Sequence, residues 1–273
     1  MQRSTIVNDG WDTRPNPVFR IIAVRTAQAA LPILAVVTGI AWFAPALAIN
    51  AVIGAGIVTA VGLSVYFGAT FYARSTFGFP LLIRLPEDAG EAAALTIDDG
   101  PHPETTPLLL EVLSEHQAVA TFFLVAERAK AYPELTRRIV REGHVIGVHG
   151  LRHREMVLLS ADEIARELAE AEEIFAEILG APLPSHLLRP PHGFKTRTLC
   201  RTATRLGWQI VAWSLDPRDY DAPDAATLTA RLKDAQAGDI ILLHERPGHS
   251  ETAVVALRNA LPSVMASLSL QSL

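Results

Sequence analysis

Short apolar runs alternate with helically spaced segments through the second part of this chain, and that alternation limits its fold more than any other feature. Strand candidates stand at Ala92–Ile97, Val119–Val125, Val145–His149, Leu187–Arg189, Gln209–Trp213 and Asp239–His244. Helix candidates lie between or after them, at Glu104–His116, Pro133–Glu142, Ser160–Leu179, Lys195–Leu206, Ala225–Ala237 and Thr252–Leu268. Pro133 suits the first turn of a helix, and Ser160 with Glu163 has the spacing of a capping box. Repeated βα units of this kind imply an α/β fold with a parallel sheet covered by helices. Six or seven units can be counted, so a distorted TIM-like barrel fits better than a regular one of eight.

The first part of the chain has a different composition. Hydrophobic residues make up 49% of the 273 residues and charged ones only 19%, against about 25% in ordinary soluble proteins. The deficit is local: no Asp, Glu, Lys or Arg occurs from Thr26 to Ala73. An apolar run of about 20 residues suffices to cross a bilayer, and this one is long enough for two crossings. Roughly Ala27–Ala48 and Ala51–Tyr72 are the expected transmembrane helices, with the turn near Pro45 and Asn50. A signal peptide would have a single, shorter apolar core nearer the N-terminus. A buried helix pair remains the other reading of the same pattern. Arg3, Arg14, Arg20 and Arg25 precede the apolar tract, and Arg74 and Arg84 follow it. The positive-inside rule therefore puts both flanks in the cytoplasm, giving a multi-pass protein of the inner membrane with a cytoplasmic-facing catalytic domain. A single span would turn that domain outward. The expected organisation is a cytoplasmic segment 1–25, a transmembrane hairpin 26–73, a linker 74–91 and a catalytic domain 92–273.

Cys200 is the single cysteine, so no internal disulfide forms, as suits a cytoplasmic address. A net charge of −5 provides no basic footprint and argues against nucleic acid as a partner. The sequence names no protein partner.

Five short polar segments carry chemistry that neither a core nor a solvated face requires. They are Thr96–Pro101, His149–His153, Arg189–Gly193, Asp216–Tyr220 and Leu242–Glu245. Asp98, Asp99, His149, Arg189 and His244 all fall at the C-terminal end of a strand candidate, the end where barrel enzymes gather their sites. Two adjacent carboxylates repel each other unless a cation or an arginine compensates; alone, Asp98-Asp99 before Gly100 would pass for a solvated turn. His149 and His153 are spaced to converge on one metal ion, and with Asp99 they form a three-ligand set that leaves a coordination position open. Arg189 can pair with one of the aspartates. Asp219 can pair with His244 and raise its pKa, as suits a general acid. Trp208, Trp213 and Tyr220 are expected in the core or a pocket wall, and Arg152 and Arg154 as surface charges. His102, His116, His144, His186 and His249 are expected to be structural or superficial.

In order and content, the five segments resemble the motifs of the NodB-homology polysaccharide deacetylases (carbohydrate esterase family 4). The resemblance covers about Ala92 to Leu268. It implies a distorted (β/α)7 barrel and a divalent metal, usually zinc, with cobalt as an alternative. It also implies Asp98 as catalytic base, Asp99, His149 and His153 as metal ligands, Arg189 orienting Asp98, and His244 as catalytic acid tuned by Asp219. The backbone N–H of His192 would help hold the oxyanion. Ile97, Gly150, His192, Tyr220 and Glu245 stand where family members usually have Phe, Ser or Thr, often Tyr, Trp and Asp. The last two reshape the expected pocket wall and rim, so they bear on the substrate more than on the reaction. The implied activity is removal of an N-acyl group from an amino sugar. Three settings compete: a lipid-linked amino sugar at the cytoplasmic face, peptidoglycan or an exported polysaccharide from the periplasmic face, and a membrane assembly protein that has kept the barrel without catalysis.

Overall fold

The computed structural model describes Gly54, residues 56–62, Ser64 and residues 80–245 and 250–273. Segment 1–25, the first expected span and most of the second therefore lie outside the described residues, as does His249. The chain divides into two compact units, Met1–Val65 and Tyr66–Leu273. In the first unit the described stretch is helical and exposes Ile57 (59%), Val58 (72%) and Val61 (57%). Among the described residues no helix is long and apolar enough to cross a membrane, so neither expected transmembrane helix is among the described elements.

The second unit is the βα array. In chain order it consists of β1 (Leu81–Leu82), β2 (Ala92–Asp98), α1 (Thr105–Glu115), β3 (Thr121–Leu124), α2 (Ala126–Ala131), α3 (Pro133–Arg141) and β4 (Val145–Val148), followed by α4 (Ala161–Leu179), β5 (Leu187–Leu188), α5 (Arg197–Arg205), β6 (Gln209–Val211), α6 (Ala225–Leu232), β7 (Ile240–His244), α7 (Ser250–Met265) and β8 (Ser269–Gln271). The strands run β1-β6-β5-β4-β3-β2-β7, with β8 also on β2, and every pairing is parallel. Among the described residues, isolated bridges Arg84↔Asp239 and Leu215↔Ile241 link segments beside β1 and β6 to β7 and its approach. The result is a parallel-sheet α/β fold whose ends meet without a full ladder.

Local sequence accounts for most boundaries. Ser160 and Glu163 form the expected reciprocal capping box on α4, and Gly180 closes that helix in the left-handed conformation (φ 67°), which a residue without Cβ adopts at least cost. Thr196 caps α5 and Asp224 caps α6 through their side chains. The segment expected to be a linker is a correction: Leu81 and Leu82 pair with Ile210 and Val211, so the sheet begins inside it. Two residues are too few for periodicity to reveal. Periodicity gives no sign of β8 or α2 either, each being short and continuous with a longer helical or loop pattern.

Strand alternation sorts the side chains into two environments. Ala93, Leu95 and Ile97 of β2, Phe122 and Leu124 of β3, Val148, Leu188, Ile210, Ile241 and Leu243 pack in the large core shared with the helices. The opposite parity, Ala92, Ala94, Phe123, Val211 and Ile240, forms a smaller inner cluster. Continued along the strands, that inner parity reaches Thr96 and Asp98, His149, Arg189, Leu242 and His244. The inner face is apolar near the start of the strands and polar at their C-terminal ends. Its packing is tight: a Cβ on Gly147 would lie 2.5 Å from the Phe123 ring and 3.2 Å from the Leu187 carbonyl oxygen. Gly147→Ala should therefore cost about 1–3 kcal/mol of stability through overpacking, measured as the shift of the denaturant midpoint. An unchanged midpoint would mean that the inner face has slack.

Candidate active site

Arg189 anchors the inner face. It is 0% exposed, follows β5 directly, and donates from Nη1 to Asp98 Oδ1 and Thr96 Oγ1, both at 2.7 Å, and from Nη2 to the Ala212 carbonyl at 2.9 Å. Its guanidinium lies 4.2 Å from the Phe123 ring centroid and 5.7 Å from that of Trp213. Burial pushes the guanidinium pKa down, and the charge and hydrogen bond of Asp98 oppose that. Of the two aspartates, Asp98 is the one Arg189 holds. Asp98 is also the Cα partner of His244 in the β2–β7 register, so the sheet itself sets these two side by side.

Asp99 has a left-handed backbone, φ 76°, which ends the alternation of β2 and separates its surroundings from those of its neighbour. Its Oδ1 lies 3.3 Å from His149 Nε2 and 2.9 Å from His153 Nε2. His149 follows β4, and His153 is reached through a turn in which Gly150 (φ 79°) and His153 (φ 53°) are both left-handed. One donor atom from each of Asp99, His149 and His153 lies within 4.8 Å of the others. His149 Nδ1 is 2.8 Å from the Arg189 carbonyl; a carbonyl only accepts, so the proton sits on Nδ1 and the Nε2 lone pair is left for a cation. Burial pushes the Asp99 carboxyl pKa up, but without a cation, when His149 and His153 carry a proton on Nε2, their hydrogen bonds and charges hold it well below the usual carboxylate range; a cation takes the place of those protons. An ionised carboxylate and two imidazoles with accessible Nε2 fit a divalent cation with a coordination position to spare.

Across the cleft, His244 receives two contacts from one carboxylate. Its Nδ1 donates to Asp219 Oδ1 at 2.8 Å and its backbone N–H to Asp219 Oδ2 at 2.7 Å. Burial lowers the imidazole pKa, but the hydrogen bond and charge of Asp219, with smaller contributions from Asp99 and Asp98, raise it to about 9. Arg218, with φ 55°, turns the loop so that Asp219 points inward. The cleft, about 220 Å³, is lined by the two aspartates, His149, His153 and His244, and also by His192, Gly193, Trp213, Asp216, Tyr220 and Leu242. His192 sits in the short 3-10 turn Pro191–Gly193 with φ 60°, its ring edge-on to that of His153 at 4.9 Å. Tyr220, expected in a core or wall, is a wall residue, 38% exposed, with its hydroxyl 3.3 Å from Asp216 Oδ2.

Several residues at the site were not anticipated. Arg128 donates to the Asp99 carbonyl and so helps fix its unusual backbone. Arg154 is an exposed residue, as expected of a surface charge, but it pairs with Glu167, which is only 4% exposed; the pair ties the loop after His153 to α4. Its only sequence signal was an acidic residue on the otherwise apolar face of that helix. Glu245, expected at the rim, is 0% exposed, and burial pushes its carboxyl up to about 8 against a hydrogen bond from Thr106.

Comparison with known proteins agrees with this geometry. The polysaccharide deacetylase family model matches residues 86–211. A chitooligosaccharide deacetylase of Azorhizobium caulinodans is 35% identical over 175 residues, 64% of this chain and 83% of that protein. A peptidoglycan-N-acetylglucosamine deacetylase of Bacillus cereus is 38% identical over 174 residues, 63% of this chain and 62% of that protein. The crystal structure of a peptidoglycan N-acetylglucosamine deacetylase in complex with an N-oxidanyl-benzamide superposes with a TM-score of 0.67 at 33% identity, covering 72% of this chain and 92% of that one. With its parallel sheet and its Asp-His-His and His-Asp clusters gathered at one end of that sheet, the chain belongs to the polysaccharide deacetylase family.

Proposed function

We propose that this chain is a metal-dependent carbohydrate N-deacetylase that hydrolyses the N-acyl group of an amino sugar in a glycan chain. The convergence of three units on one cleft carries the reading: Asp98 on Arg189, Asp99 with the two histidines, and His244 on Asp219. Asp99, His149 and His153 would hold a divalent cation, zinc in preference to cobalt, which when bound supplies Lewis acidity toward the acyl carbonyl and toward water. Asp98 takes a proton as water adds to that carbonyl, and Arg189 pairs with the carboxylate and orients it. The His192 backbone N–H stabilises the oxyanion, a contribution worth about 3 kcal/mol for a well-placed donor. His244, kept protonated by Asp219, gives its proton to the leaving nitrogen. The products are a free amino sugar and a short carboxylic acid.

Relatives named for chitooligosaccharide and peptidoglycan deacetylation support a polymer of N-acetylglucosamine type as substrate. The charge-free tract Thr26–Ala73 favours a second reading, in which a membrane hairpin holds the catalytic unit at the cytoplasmic face of the inner membrane against a lipid-linked amino sugar.

Metal dependence is tested first. Chelation should abolish amine release, and Zn²⁺ or Co²⁺ should restore it. Asp98→Asn should keep stoichiometric metal while losing about 100- to 10,000-fold in kcat, as expected for a lost general base. Asp99→Ala and His149→Ala should lose the metal itself. Metal analysis giving the reverse pattern would exchange the two aspartates' roles.

Activity requiring His244 to be protonated falls as pH rises through its pKa. Asp219 raises that pKa, and a bound cation would offset the contributions of Asp98 and Asp99, so Asp219→Asn should move the alkaline limb of the kcat profile to lower pH. A limb that stays in place would separate Asp219 from the acid step.

The two substrate settings separate on truncation. A chain starting at residue 66, where the second compact unit begins, retains β1 and every site residue. On soluble chitooligosaccharide its kcat/KM should match that of the full chain. On a polyprenyl-linked amino sugar in vesicles it should fall at least about tenfold, through lost confinement to the bilayer plane. Equal activity on vesicles would leave the polysaccharide reading alone.

A further inference from the structure

Glu245 follows His244 directly and has no part in the chemistry above, yet it touches both elements that carry that chemistry. Its backbone N–H donates to the Asp98 carbonyl at 2.9 Å. Its side chain turns under the loop after β2, where Oε2 accepts a hydrogen bond from Thr106 Oγ1 in the first turn of α1. Thr106, also 0% exposed, accepts in turn from the His102 backbone N–H at 2.8 Å. A Cβ on Gly100 would stand 2.1 Å from Glu245 Oε1 and 2.9 Å from its Cδ. The carboxyl therefore occupies the space that any side chain at position 100 would need. On its other side the Gly100 carbonyl is tied to the Val125 N–H at 2.9 Å, so the loop is gripped from two directions.

A carboxyl buried this completely is costly, and a residue serving only to fill volume would be apolar. We propose that Glu245 is a positioning residue for deacetylation: it clamps the Asp98–Pro101 loop and the start of α1 to the end of β7, and thereby sets the spacing between Asp98 and His244. The clamp is a chain of contacts, His102 N–H to Thr106 hydroxyl to Glu245 carboxyl, closed by the missing Cβ of Gly100. The role rests on the deacetylase reading given above.

The test compares Glu245→Ala, Glu245→Gln, Thr106→Val and the Ala/Val double variant in the full chain, with a soluble chitooligosaccharide as substrate. Glu245→Ala should lower kcat about 10- to 100-fold, the usual effect of removing a group that orients an active-site residue, while KM moves by less than about threefold. Glu245→Gln retains an acceptor for Thr106 and should recover most of that loss. Thr106→Val should resemble Glu245→Ala, and the double variant should be no worse than either single one, since both cut the same contact. Multiplicative losses, an unaffected kcat in Glu245→Ala, or a Glu245→Gln variant as poor as Glu245→Ala would overturn the proposal. If Glu245→Ala does not fold, Thr106→Val and Glu245→Gln decide between the same outcomes. The visible spectrum of the Co²⁺-loaded proteins gives a readout that needs no turnover: in Thr106→Val and Glu245→Ala it should change, because Asp99 rides on the clamped loop. An inactive wild-type enzyme would overturn the deacetylase reading, whereas an active one with unchanged cobalt spectra in all variants would overturn the clamp alone.

Discussion

A guanidinium with no access to water is the constraint around which the catalytic unit is arranged. Removing such a charge from solvent costs several kcal/mol even after relaxation, so Arg189 is tolerable only where its surroundings compensate. Asp98 supplies the opposite charge, Thr96 accepts a second hydrogen bond from Nη1 and the Ala212 carbonyl one from Nη2, and the guanidinium carbon lies over the Phe123 and Trp213 rings. Gly147 makes room for the Phe123 ring, and the carbonyl of Arg189 itself fixes the tautomer of His149. One residue thus connects the base to the metal-ligand set through its two ends, side chain and main chain.

Electrostatics then assigns different states to groups only a few ångströms apart. Asp99 is held ionised by two imidazoles, while His244 is held protonated by Asp219. The backbone contributes as well. Asp99, His153, His192 and Arg218 are all left-handed, a conformation that costs non-glycine residues about 1–3 kcal/mol when strained. Four such positions around one cleft mean that the surrounding packing imposes the geometry on the loops.

How much of this was legible in the sequence depended on distance along the chain. The ends of β2, β4, β5 and β7 were visible because an apolar run stopping at Asp98, His149, Arg189 or His244 is a local pattern. The cap at Ser160 was visible for the same reason. The residues alone leave open which aspartate Arg189 pairs with, and Asp98 is singled out only by the family resemblance; in the structure the choice follows from strand parity. β1 was invisible because two leucines carry no period. The Arg154–Glu167 pair and the Glu245–Thr106 contact were missed because they join residues of different elements; Glu167 gave a local sign only through its place on the apolar face of α4, and Glu245 gave none. The departure from the family pattern at Glu245 drew notice, but its placement at the rim was wrong: the residue after His244 turns beneath the loop.

The parity of β2 has a consequence for how such a chain can diverge. Thr96 and Asp98 share one face, and Asp99 leaves that face only because its backbone reverses hand. Insertion or deletion of a single residue within β2 would exchange the two carboxylates, bringing the wrong one to Arg189 and leaving the histidines opposite a residue of unsuitable reach. The connections beyond the strand ends can lengthen or shorten without that penalty. Length variation among functional descendants should accordingly collect in the loops and helices, with the span from Ala92 to Gly100 kept at constant length even where its side chains are replaced.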